Sequence, residues 1–75
     1  MTYFNYHAKV KKLIYDGELK SFYFDENYKK IGRALILDFG FKTYPIREKW
    51  FDFYIDLIKE LYTVEQIGDK YFNVY

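Results

Sequence analysis

The chain has 75 residues, of which 51% are hydrophobic and 25% aromatic, with a single proline, so it reads as one small ordered domain. It has no cysteine, which excludes disulfides and thiolate metal sites. A net charge of +1 excludes the strongly basic balance of a dedicated polyanion binder.

A domain this short buries only about 60% of its unfolded surface. Ten tyrosines and eight phenylalanines offset that limit, since each such ring buries roughly 150–250 Å². The opening MTYFNYHAKVKK lacks the apolar core of a signal peptide, and no apolar run approaches membrane-spanning length. The expectation is a cytoplasmic protein with no membrane partner. Residues 1–33 carry seven basic and four acidic groups, net +3, and residues 34–75 five basic and seven acidic, net −2. Such asymmetry suits self-association or a weak anion site, and equally a solvated face.

Thr2 is placed to cap a helix that runs to about Asp16, and Gly17 supplies a left-handed stop. Tyr3, Tyr6, Val10, Leu13 and Ile14 share one face of it. Residues 19–24 read as a strand, and DENYKKIG after them offers a short helical turn as an alternative. RALILDFGF is the strongest strand signal: Arg33, Leu35, Leu37 and Phe39 point one way, Ala34, Ile36 and Asp38 the other. Both sides are apolar in the middle, as in a strand covered on both faces or lying centrally. FKTYPI reads as a further short extended piece, because a residue before proline avoids helical geometry.

Residues 46–62 carry a 3.6-residue apolar repeat and read as a second, long helix. Its apolar arc is wide enough to touch both a sheet and the first helix, or a second subunit. The tail VEQIGDKYFNVY has a Gly-Asp turn and then KYFNVY, a short terminal strand.

YPIREKW, residues 44–50, holds the only proline and the only tryptophan. On the wheel of the second helix Arg47 falls inside the apolar arc, between Tyr54 and Ile58. Two readings stand. Arg47 serves the structure, in a first turn begun by Pro45, paired with a carboxylate such as Asp38 or stacked on a tyrosine. Or it contacts a ligand or partner. His7, the only histidine, lies at the edge of the first helix's apolar face. It is a core-edge residue or, alternatively, a titrating group. With Trp50 and Tyr44 these make four candidate interaction residues: Arg47, Trp50, His7 and Tyr44.

Other constellations are weaker. Asp52 and Asp56 are four apart on a polar helix face, the usual pattern of a solvated surface. No glycine-rich phosphate loop is present, and the one serine, Ser21, sits in a strand. Phe22, Tyr23 and Phe24 near Lys20 and Lys29 offer a platform for stacked bases, or are simply core. No catalytic residue, cofactor or metal is expected.

Asn5 to Lys9, Lys12 to Ile14, Tyr28 with Ile31, Ala34 to Phe39, and Pro45 to Glu48 with Trp50 carry a resemblance. The chain resembles a group of small bacterial proteins, mostly from Firmicutes, often labelled "thermostable hemolysin delta-VPH". The resemblance spans residue 3 to about residue 58 and leaves the tail from Val64 outside. None of these motifs is a catalytic signature, so it implies a family and no activity. Helix two has four acids and two lysines in residues 48–60, unlike the basic face of a membrane-active helix.

The expected fold is α+β: an N-terminal helix, two or three antiparallel strands, a long second helix packed on the sheet, and a C-terminal strand. The expected function is a non-enzymatic interaction module whose partner is another protein or a second copy in a homodimer. The alternative is a single-stranded nucleic-acid-binding accessory protein.

Overall fold

The computed structural model describes the backbone of residues 3–75 and the side chains of residues 5–75, so the expected Thr2 cap lies outside the described residues. Helix α1 spans Tyr3–Tyr15. Its end is set by Gly17 at φ 81°. The Gly17 N–H donates to the Ile14 carbonyl at 3.1 Å and the Glu18 N–H to the Leu13 carbonyl at 3.2 Å. These two bonds form a Schellman motif, which needs the left-handed residue that glycine adopts without strain.

Five strands come after it: β1 Ser21–Tyr28, β2 Gly32–Asp38, β3 Thr43–Arg47, β4 Val64–Gln66 and β5 Tyr71–Val74. They make one antiparallel sheet in the order β3-β2-β1-β5-β4. The architecture is α+β, as expected, with more strands than expected. β1 runs four residues past Phe24, so DENY is extended rather than a helical turn. The cause is pairing: Asp25 lies opposite Ala34 and Tyr28 opposite Gly32, with a register shift between them that bends the hairpin. Lys29 at φ 45° and Gly32 at φ 86° close its tip. At the far end, VEQ forms β4 against β5.

Alternation along the strands sorts the core. Leu35, Leu37 and Phe39 join Phe22, Tyr44, Ile46 and Val74 in one cluster. Val10 and Ile14 of α1 complete it, with Tyr54, Leu57 and Ile58 of helix α2, Phe51–Leu61. Each fully buried Leu or Ile contributes about 1.5–3 kcal/mol. On the reverse face Ala34 and Ile36 are also buried, at 0% and 1% exposure, although they stand outside that cluster. There the register sets Ile36 between Tyr23 and Pro45, and the Tyr23 and Tyr71 rings stack at 4.8 Å.

The second helix begins later than its apolar repeat suggests. Pro45, Ile46 and Arg47 belong to β3, and a single 3-10 turn, Glu48–Trp50, leads into α2. Pairing of Leu35 with Ile46 and of Ala34 with Arg47 holds this stretch extended. Tyr62, just past α2, donates its hydroxyl to the Ile14 carbonyl at 2.6 Å and accepts the Leu19 N–H at 3.3 Å. That hydroxyl ties the exit of α2 to the exit of α1. No helix among the described residues is long and apolar enough to cross a membrane.

Candidate functional site

β3 is an edge strand, and its proline is fitted to that place. Pro45 stands opposite Ile36, and with no N–H to give it must keep its nitrogen turned away from β2. A strand residue's carbonyl points the same way as its nitrogen. The Pro45 carbonyl is taken by the Tyr6 hydroxyl of α1, which donates to it at 2.7 Å. The edge therefore offers no donor at Pro45 and no free acceptor there, which blunts pairing with another strand.

Arg47 ends this strand, with φ −71° and ψ 155°. It is exposed, and alternation from the core-facing Ile46 turns it outward. Its place in the apolar arc of a helix is thus corrected: there is no helix at Arg47. The partner expected for it, Asp38, lies opposite Thr43 at the other end of β3. Four strand residues span about 13 Å. Asp38 instead accepts the Gly40 N–H at 2.8 Å. The arginine that stacks on rings is Arg33, 5.6 Å from the Phe24 ring centre and 5.2 Å from that of Phe51.

The alternating charges Arg47-Glu48-Lys49 are sorted by the chain's path. Glu48 pairs with Arg33 at 3.0 Å, and Arg33 also reaches Glu26 at 3.5 Å. Glu26 in turn holds Lys70 at 3.2 Å, and these contacts, with the Lys70 hydrogen bond leading, keep its carboxyl below the usual range. Arg47 and Lys49 have no ionic partner among the described residues. Both line an open groove of ≈ 840 Å³, together with Tyr6, His7 and Trp50, while Ile31 and Pro45 add apolar wall. That size falls within the roughly 300–1,000 Å³ typical of ligand sites. No acidic side chain is among these lining residues.

His7 is 9% exposed, and its Nδ1 lies 2.7 Å from the Tyr54 hydroxyl. Tyr54 is 0% exposed, and its phenol proton has no other acceptor among the described residues. Tyr54 therefore donates and His7 Nδ1 accepts, which assigns a neutral imidazole with its proton on Nε2. Burial lowers the His7 pKa, and Lys11 and Lys49 lower it further. Burial likewise pushes the Tyr54 phenol up, with a smaller push from Tyr6. Tyr6 is pushed up to about 12, first by burial and then by Tyr28 and Tyr44. The His7 ring also lies against Trp50, with centroids 4.1 Å apart.

Three of the four sequence candidates, Arg47, Trp50 and His7, thus meet in one groove. Tyr44 does not: it is 5% exposed and faces the core, its ring 5.8 Å from Tyr6 and 5.7 Å from Phe39. Lys49, Tyr6 and Ile31 are groove residues that the sequence does not single out. Lys49 has a weak signal, its place two residues after Arg47, although the chain leaves β3 at Arg47 and turns through Glu48–Trp50. Ile31, in the hairpin tip, has none. The base-stacking platform over Phe22, Tyr23 and Phe24 does not form: Phe22 and Phe24 belong to the core side, and only Tyr23 faces away from it. Among the described residues no three His, Cys, Asp or Glu side chains gather in a metal-binding group. Compared with known proteins, the chain matches no family model, no curated protein and no solved structure.

Proposed function

We propose that this chain is a small, non-enzymatic interaction module that holds its partner in the groove beside β3, a second copy of the chain being one candidate partner. One observation carries the reading: Arg47 and Lys49, without ionic partners among the described residues, share a groove with Trp50, Tyr6 and His7. Arginine, tryptophan and tyrosine are the residue types that dominate binding energy at interfaces. An enzyme is disfavoured because no carboxylate lines the groove to work with His7 as a general acid or base. His7 also commits one ring nitrogen to a buried tyrosine. A cytoplasmic setting is part of the proposal and rests on the cysteine-free composition.

The test is mass in solution by light scattering, on wild type and Arg47→Ala. A wild-type dimer that Arg47→Ala dissociates, with its helical circular dichroism unchanged, supports a self-interaction through the groove. A monomeric wild type whose Arg47→Ala form merely melts earlier gives Arg47 a structural role and removes this support. Single-stranded nucleic acid is the second reading, favoured by cations beside Trp50. It predicts oligonucleotide binding that weakens steeply with salt.

A further inference from the structure

The side-chain groups that line the groove are unequal in hydrogen-bonding character. Arg47 brings a guanidinium with five N–H donors, and Lys49 an ammonium with three. The hydrogen on His7 Nε2 is a further donor, as is the indole N–H of Trp50. None of these four has a protein acceptor among the described residues. The Tyr6 hydroxyl has already given its proton to Pro45. The one neighbouring acid, Glu48, is drawn off to Arg33. A wall made of donors and cations is complementary to an acceptor-rich anion. The same wall carries indole, phenol and imidazole rings, with Ile31 and the Pro45 ring, which suit a flat apolar group beside the charge.

Resting on the interaction-module reading, we infer that the groove recognises a carboxylate borne next to an aromatic ring, the form it takes being an acidic, aromatic segment of a protein partner. The carboxylate sits on Arg47 and Lys49 and the ring lies against Trp50. A carboxylate fits better than a phosphate for a structural reason. Phosphate sites lean on backbone N–H groups from glycine-rich loops or helix N-termini. No glycine-rich loop lines this groove, and Pro45 removes an N–H from its wall; Trp50, at the start of α2, is the one helix-terminus residue there. The groove holds the anion with side chains; the two-pronged fork of arginine accepts either anion, so the preference rests on the missing backbone donors.

Phenylacetate is the first probe, followed by the fluorescence of Trp50, the only tryptophan, and by backbone amide shifts. Acetate, phenyl phosphate and oligothymidylate are the comparison probes. The expected result is saturable phenylacetate binding near about 1 mM, the scale of a fragment. The shifts should centre on Arg47, Lys49 and Trp50, and acetate should bind at least tenfold more weakly. Arg47→Ala should weaken binding about tenfold. Arg47 is exposed, so that variant should fold; Lys49→Ala serves as a second, independent variant. No saturable binding of phenylacetate overturns the inference. So does acetate binding equally well, because the ring would then contribute nothing. Phenyl phosphate binding more than tenfold tighter transfers the site to a phosphorylated group and overturns the carboxylate. Oligothymidylate displacing phenylacetate at a lower concentration transfers it to nucleic acid. Light scattering reports separately whether the chain associates with itself, so a monomer that binds phenylacetate removes the homodimer and leaves this inference standing.

Discussion

The Tyr54 hydroxyl lies 2.7 Å from Nδ1 of His7, so one buried hydrogen bond joins the middle of α2 to the first half of α1. It also sets one wall of the groove, because His7 faces both Tyr54 and Trp50.

His7 makes stability depend on pH in a defined window. Its pKa is lower in the folded chain than the usual value, which is about 6.5. As pH falls, the unfolded chain takes up the proton first. Stability therefore begins to drop near about pH 6.5 and levels off below the folded pKa. Thermal melts between about pH 7.5 and 5 should show this slope, and His7→Gln should remove it. The His7 ring protons, followed by NMR, should titrate below about 6.5; a folded pKa at or above that value contradicts the downward shift from burial and with it this pH window. The loss at more acid pH belongs to groups such as Glu26, whose lowered carboxyl pKa gives stability that is lost as pH falls through its own range.

Tyr54→Phe removes the donor and leaves His7 Nδ1 unpaired at a buried site. An unsatisfied buried group costs about 1–3 kcal/mol, so chemical denaturation should show a loss of that size. An unchanged midpoint would mean that the hydrogen bond contributes nothing.

Pro45 and Tyr6 protect the β3 edge together. Tyr6→Phe should cost about 0.5–1.5 kcal/mol by freeing the Pro45 carbonyl. Pro45→Val keeps a strand-forming side chain but restores an outward N–H. The double variant, with donor and acceptor both open, should self-associate more than wild type in sedimentation at high concentration. Equal sedimentation would show that β3 is protected in another way.

Arg33 keeps Glu48 away from the groove at 3.0 Å. Arg33→Gln should cost only modest stability, since its ion pairs are exposed and screened, with the loss of its stacking on Phe24 and Phe51 added. It should nonetheless weaken phenylacetate binding, since the freed Glu48 lies between Arg47 and Lys49 in sequence. Adding Glu48→Gln to Arg33→Gln should restore binding. A failure of that rescue would show that Glu48 does not compete for the cations.

Much of the fold is legible in local signals. Gly17 ends α1 where its apolar repeat stops. The 3.6-residue repeat from Phe51 to Leu61 is a true helix. Residues 45–47 are where such signals mislead. The pre-proline signal in FKTYPI correctly marks an extended piece, but Ile46, Trp50 and Tyr54 are spaced by four and proline suits a first helical turn, so the helical repeat is read too early, from Ile46. What decides for a strand is β2, whose Leu35 and Ala34 pair with Ile46 and Arg47. That pairing is non-local and leaves only a short alternation in the sequence. The same alternation turns Tyr44 into the core, away from Arg47. β4 escapes a sequence reading because three residues, Val-Glu-Gln, carry too little pattern. The groove depends on where α1 lies over β3, which no spacing within either segment encodes.

The strand order β3-β2-β1-β5-β4 has a consequence for how the chain assembles. β1, β2 and β3 are neighbours in sequence and can zip together through two tight hairpins. The other side of β1 stays open until β5 arrives from far along the chain, with Tyr23 opposite Tyr71. Closing so large a loop is entropically costly and slows folding. During synthesis, the central strand therefore waits half-paired while α2 is made. In that interval Phe22, later stacked on Phe72 at 4.8 Å, lacks its partner ring. The nascent chain is most prone to stray strand pairing there, along β1, and not at the proline-guarded edge of the finished sheet.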